Sequence, residues 1–184
     1  TRRGLLRNAS LCLGASIIAG SRRAAAGPQS AKPTAKGNRL PREVWVASMS
    51  QERLEAGSYE EMIRKMLGRM EQVVSFEPDI ICLPEVFPFV NLSGGRSPLK
   101  EVAEVPIGPI SGPFAEFAKK LHCYFVCPIY TKRDDRYYNA AVFIDRAGTL
   151  LGEYHKIHPT IGEIEDGIVP GSLEPPVFKA DFGV

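Results

Sequence analysis

Apolar residues in this chain fall into short blocks whose period changes from one block to the next. Val44-Trp45-Val46-Ala47-Ser48-Met49 is brief and rich in β-formers, which predicts a first strand. From Tyr59 the spacing changes. Met62, Ile63, Met66, Leu67, Met70, Val73 and Val74 recur at three- and four-residue intervals, an apolar stripe along a helix. Ser58 with Glu61 three positions on gives that helix a capping-box start, and Glu77-Pro78 ends it. The stripe reads as core-facing, with an adaptable methionine-rich binding face as the alternative. Asp79 to Leu83 is a strand-length segment, apolar from Ile80 onward, and Pro84 stops it.

Residues 87–109 carry Gly94-Gly95 and several prolines without a period, which predicts a long loop of functional or mobile character. Gly112-Pro113 opens a short helix with proline in its first turn; Phe114, Phe117, Ala118 and Leu121 should face inward. Tyr124 to Tyr130 predicts a third strand, with a turn at Asp134-Asp135. Asn139 to Ile144 and Leu150 to His155 predict a hairpin across Arg146-Ala147-Gly148. Another strand is expected to begin at Pro176-Val177-Phe178. Helices mixed with many short strands indicate a layered α/β fold.

Charge divides the chain. The 184 residues are 44% hydrophobic and 24% charged, which suits one globular domain with appendages. Residues 1–42 hold nine of the 23 Lys and Arg and no acid, leaving 14 basic and 21 acidic side chains from Glu43 onward. An acidic body argues against nucleic-acid binding. Arg2-Arg3-Gly4-Leu5-Leu6-Arg7 resembles a twin-arginine signal. An apolar stretch over 9–20 follows, short of the roughly 20 residues a membrane span needs. Ala24-Ala25-Ala26 then suits signal peptidase. The expectation is a signal peptide over residues 1–26, export to the periplasm or outside the cell, and no stable membrane insertion. A disordered basic terminus or an uncleaved anchor is the alternative. Residues 27–42, rich in Pro, Gly, Ala, Ser and Lys, predict a flexible linker. Residues 43–184 then form the domain.

Two residues stand where chemistry can be placed. Glu85 follows the apolar second strand immediately, and low-dielectric surroundings there would raise its pKa and suit it to general-base work. Lys156 lies mid-strand between Tyr154 and His158, where a buried ammonium could stabilise an oxyanion. Taken alone, each is equally a solvated surface residue.

Their joint order changes this. Leu83-Pro84-Glu85, Tyr138-Asn139-Ala140-Ala141, Tyr154-His155-Lys156-Ile157-His158, Pro170-Gly171, Val177-Phe178 and Phe182-Gly183, in this sequence, resemble the carbon–nitrogen hydrolase (nitrilase) superfamily from about Glu43 onward. The resemblance implies a four-layer α-β-β-α sandwich, incomplete at the C-terminus. It implies a thiol nucleophile with Glu85 as general base and Lys156 as oxyanion stabiliser, and no metal or organic cofactor. The substrate would be a small amide, N-carbamoyl amide or nitrile, hydrolysed through a thioester or thioimidate. A second glutamate after the lysine is implied too; Glu165 is favoured among Glu163, Glu165 and Asp166, with a solvated acidic loop as the alternative. The subunits could pair as a homo-oligomer.

The resemblance places the nucleophilic cysteine beyond Phe182-Gly183, so the expectation is that this polypeptide alone is inactive. Cys12 belongs to the signal, and Cys82 reads as a small core residue. Cys123 and Cys127 lie four apart on one strand, ~13 Å from each other, too far to bond. His155 and His158, three apart on a strand, would face opposite sides and do not form a metal pair. The competing reading is a non-catalytic relative serving as a binding or assembly subunit.

Overall fold

The computed structural model describes residues 43–183, so the expected signal peptide and linker lie outside the described residues. Among the described residues five strands form one sheet in chain order: β1 (Val46–Ser48), β2 (Ile80–Cys82), β3 (Tyr124–Arg133), β4 (Arg136–Ile144) and β5 (Leu150–His155). β1, β2 and β3 run parallel; β3, β4 and β5 are antiparallel. The difference follows from the connections. Parallel neighbours need crossovers, here through α1 (Tyr59–Met70) and, after the short α2 (Leu99–Val102), through α3 (Gly112–Leu121). Two crossovers of the same hand in the same direction put their helices on one face of the sheet.

That face is the core. Ile81, Phe125, Cys127, Ile129 and Val142 are fully buried there, and Phe114 and Phe117 of α3 meet Phe125 at ring distances of 6.5 and 6.2 Å. The helical stripe predicted from Tyr59 turns inward: Met62, Met66 and Met70 have no exposed surface. Each contributes about 1.5–3 kcal/mol of apolar burial. Ser58 Oγ accepts from Glu61 N at 3.3 Å, as the capping pattern predicts, while the Glu61 carboxylate reaches one residue further back and accepts from Gly57 N at 2.7 Å.

The other face is open among the described residues, so these supply one helical layer and one sheet layer of the expected sandwich. Cys82 is only half-buried on that open face, which corrects its reading as a core residue; Ile81 is the residue turned inward. The strand expected at Pro176 does not form. Pro175 and Pro176 have no N–H to give a ladder. The segment crosses the open face instead, with Phe178 at 5.5 Å from Phe143 and Phe182 edge-on to Tyr124 at 5.1 Å. Arg146 pins it, donating to Asp181 at 2.8 Å and to Asp79 at 3.0 Å. Between this strap and Val126, Ala141 and Tyr154 runs an apolar trough of about 640 Å³.

Candidate active site

Alternation along the strands decides which side chains meet. Phe125, Cys127 and Ile129 of β3 point to the helices, so Tyr130 and the even positions point to the open face; its cross-strand partner Asn139 shares that side. Lys156 follows β5 directly, and its backbone N donates to Asn139 O at 2.8 Å. The lysine is therefore not mid-strand, as the pattern suggested, but just past its end. Two contacts hold it there. Gly171 N donates to Lys156 O at 2.9 Å, an approach that only glycine permits: a Cβ at 171 would lie 2.2 Å from His155 O. This is a physical reason for the Pro170-Gly171 pair.

Glu85 enters from β2. Leu83 N still donates to Val126 O at 3.1 Å, then Pro84 ends the ladder and a turn closes with Phe87 N on Pro84 O. Glu163 enters from α4 (Ile161–Glu165), whose cap Thr160 accepts from Glu163 N while the Glu163 carboxylate accepts from Thr160 N at 2.7 Å. That box turns Glu163 back toward the helix start and onto the site.

The four side chains form one cluster. Lys156 Nζ donates to Glu85 Oε1 at 2.7 Å and to Glu163 Oε2 at 3.0 Å. Asn139 Nδ2 donates to Glu85 Oε1 at 2.8 Å and to Glu163 Oε1 at 2.7 Å. One ammonium and one amide thus bridge two carboxylates. Asn139 is buried, 4% exposed, while Glu85 keeps 60% of its side chain exposed.

The electrostatics correct the expectation for Glu85. The Lys156 ammonium holds its carboxyl below the ordinary range; burial opposes this but is outweighed, with help from the Asn139 amide. For Glu163 burial is the largest influence and acts upward. The Thr160 N–H, the Asn139 amide, the Lys156 ammonium and the Thr160 hydroxyl together overcome it and bring the carboxyl to about 2. Lys156 is raised, first by its bond to Glu85, against burial, and then by Glu163. At neutral pH the cluster is two carboxylates and one ammonium.

The structure brings Glu85 and Lys156 together and leaves Glu165 out. Glu165 is exposed at the end of α4, and Asp166 turns to Arg96 at 3.0 Å. The preference for Glu165 over Glu163 is therefore corrected: the N3 position of the capping box, not its neighbour two residues on, faces the lysine. Asn139 received no role from the sequence. The signal available was its place on the same alternating face as Ala141 and Phe143, a polar residue where the neighbours are apolar.

The described cysteines stand apart. Burial pushes the Cys123 thiol up to about 12 and also raises Cys127 and Cys82; Cys127 faces the helices, on the side of the sheet away from Asn139. Among the described residues no group of three or more His, Cys, Asp or Glu is arranged to hold a metal. His155 stacks on Tyr138 at 3.8 Å and meets Glu153 at 3.2 Å. No helix among the described residues is long and apolar enough to cross a membrane.

Parallel strands β1 to β3 backed by helices, with an antiparallel extension through β4 and β5, form a layered α/β domain with an acid–ammonium cluster past the strand ends. The sequence pattern of carbon–nitrogen hydrolases matches residues 46–183, and the chain belongs to that family. No curated protein matches it significantly. Solved structures share the fold at low identity. An amidase from Nesterenkonia sp. matches with a TM-score of 0.61 and 17% identity over 76% of this chain and 52% of that one. An N-terminal amidase with a Gln-Val peptide matches with a TM-score of 0.59 and 16% identity over 70% of this chain and 31% of that one. A carbon–nitrogen hydrolase from Helicobacter pylori G27 matches with a TM-score of 0.53 and 21% identity over 71% and 45%. The chain thus spans about a third to a half of these proteins.

Proposed function

We propose that this domain hydrolyses non-peptide carbon–nitrogen bonds in small amides, N-carbamoyl amides or nitriles, through a thiol nucleophile that is none of the described cysteines. The observation that carries the reading is Lys156 Nζ held between Glu85 and Glu163, at 2.7 and 3.0 Å. In this reading the thiol gives its proton to Glu85 and attacks the carbonyl or nitrile carbon. The ammonium of Lys156 then faces the charge developing on oxygen or nitrogen. From an amide, ammonia or amine leaves with the proton returned by Glu85, and one water, deprotonated by the same carboxylate, cleaves the thioester to the acid and the free thiol. From a nitrile nothing leaves on attack; a first water converts the thioimidate to the thioester with loss of ammonia, and a second water cleaves that thioester. Glu163 and Asn139 act by holding Lys156 and Glu85 in place.

The test is ammonia release from a panel of the three compound classes by the full-length protein. Glu85→Gln should lower kcat/KM by about 10²–10⁴, the usual worth of a general base. Lys156→Met should lower it by about 10²–10³. Near-normal turnover in either variant removes that residue from the mechanism. The competing reading is a non-catalytic relative that binds small amides. It predicts no ammonia from any compound with the unmodified full-length protein.

A further inference from the structure

Seven non-glycine residues among the described residues have positive φ, and Val86, at φ 41° and ψ 35°, is the one β-branched side chain among them. Left-handed backbone crowds a branched Cβ, so such a residue stays there only when its surroundings hold it. Glu77 and His122 by comparison end helical turns, and Asp134 and Asp135 join β3 to β4. In those places the conformation is common.

Val86 follows Glu85 directly. Ile81 and Leu83 are buried in the core under the helices, and by alternation an extended chain would send position 85 the same way. The turn from Pro84 to Phe87 prevents this. Phe87 N donates to Pro84 O at 3.3 Å, with Val86 third of the four residues, a position where positive φ normally calls for Gly or Asn. Glu85 is left exposed, accepting from Lys156 Nζ at 2.7 Å and from Asn139 Nδ2 at 2.8 Å. The chain beyond the turn fixes the conformation. Phe87 is fully buried, edge-on to Phe114 at 5.3 Å. Gln51 Nε2 donates to Phe87 O at 2.8 Å and to Val90 O at 3.2 Å. The Val86 side chain packs partly buried against the core, so glycine would fit the backbone but forfeit that anchor.

We propose that Val86 is a positioning residue: its left-handed backbone, held by its own side chain and by the grip of Gln51 on the next turn, directs the Glu85 carboxylate onto Lys156 and Asn139. The catalytic consequence rests on the hydrolase reading above; the placement of Glu85 does not. The competing explanation is that the strain only lets the chain leave β2, with no bearing on the carboxylate.

The test follows the Glu85 carboxyl in the full-length protein by NMR titration of isotope-labelled glutamate, with Glu85→Gln assigning the signal. Ammonia release from the panel of amides, N-carbamoyl amides and nitriles gives kcat and KM beside it. In the unmodified protein the carboxyl should titrate below the ordinary 4.5, held down by the Lys156 ammonium. Val86→Gly, which frees the backbone, should return it toward 4.5 and lower kcat by about 10–10² with KM unchanged, the scale of a misplaced catalytic group. Val86→Asn, which accepts the left-handed conformation, should recover most of both. An unmoved carboxyl in Val86→Gly, or an unmoved kcat in an active protein, overturns the proposal. Equal losses in the two variants also overturn it, in favour of side-chain packing alone. So does an ordinary titration of Glu85 in the unmodified protein. If no compound releases ammonia, the hydrolase reading fails and the titration alone decides. A rise in Val86→Gly that Val86→Asn reverses supports the proposal; no rise overturns it.

Discussion

Glu163→Gln isolates the charge that organises the site. Glutamine keeps the side-chain length and one oxygen, enough for either the Thr160 N–H on Oε2 or the Asn139 amide on Oε1, and it ends the ion pair with Lys156 at 3.0 Å. In the folded chain the carboxyl is depressed from 4.5 to about 2. At about 1.4 kcal/mol per pH unit this corresponds to roughly 3 kcal/mol. The side chain is 11% exposed and Lys156 is 27% exposed, so solvent screening reduces the figure to about 2–3 kcal/mol. The sign follows from linkage. Between pH 4.5 and 2 the unfolded chain binds the proton and the folded one does not, so stability rises with pH across that window. It is complete above 4.5 and lost below 2. Urea denaturation of both proteins from pH 2 to 7 measures the difference directly. The variant should be less stable by about 2–3 kcal/mol at pH 7, and the gap should close as pH falls from 4.5 to 2. A gap of constant size across this range would refute the reasoning, because it would show lost packing instead of lost charge.

Other contacts give separate tests. The buried Glu104 carboxylate accepts from Ile110 N at 2.6 Å, Ser111 N at 2.9 Å and the Ser111 hydroxyl. Glu104→Gln turns an amide donor toward those donors, so about 1–3 kcal/mol should be lost, read by denaturation and by faster hydrogen exchange at Ile110 and Ser111. Gly171→Ala sets a Cβ 2.2 Å from the His155 carbonyl oxygen, a backbone atom that cannot rotate away. It should cost several kcal/mol by the scale of forced overpacking, ~1–3 or more. Gly152→Ala meets the Phe178 ring at 2.4 Å instead, and a ring can turn, so its loss should be clearly the smaller of the two in the same denaturation assay. Cys123 and Cys127, buried and with raised pKa, should resist a thiol reagent until the protein unfolds, whereas Cys82 should react slowly in the native state; rapid labelling of Cys127 would contradict its place under the helices.

How far the sequence carried the argument depended on whether the deciding contact was local. The α1 stripe was legible because one face of one helix was being buried, and all of its fully buried methionines came from that spacing. The order of Glu85 and Lys156 was legible because both follow apolar strand segments. What their surroundings would do to Glu85 was not. The desolvation argument counted burial alone, while the ammonium 71 residues away is the larger influence. The choice between Glu163 and Glu165 did have a local signal, Thr160 followed three residues later by Glu163, which is the capping-box pattern already used at Ser58. Asn139 was not singled out, since it matters only through register. It is opposite Tyr130 on β3.

Register also separates the apolar trough from the Glu85–Lys156 cluster. The trough of about 640 Å³ and the Glu85–Lys156 cluster share the open face of one sheet, but at different strand heights. The trough is floored by Ile80, Val126, Ala141 and Phe143 and roofed by the strap residues Phe178 and Phe182, and no cation or carboxylate is among its lining residues. Apolar surface of this kind binds by burial and cannot stabilise a developing charge. At the other end β2 and β5 have ended, and only the β3–β4 hairpin continues, carrying Asn139 opposite Tyr130. There the chain must satisfy β4 from outside the ladder, with Lys156 N on Asn139 O and then Val169 N on Tyr137 O. That handover of one strand edge from β5 to the segment after α4 is what brings Lys156 and Glu163 to the same amide. The cluster forms where β5 ends beside Asn139 while the β3–β4 hairpin runs on.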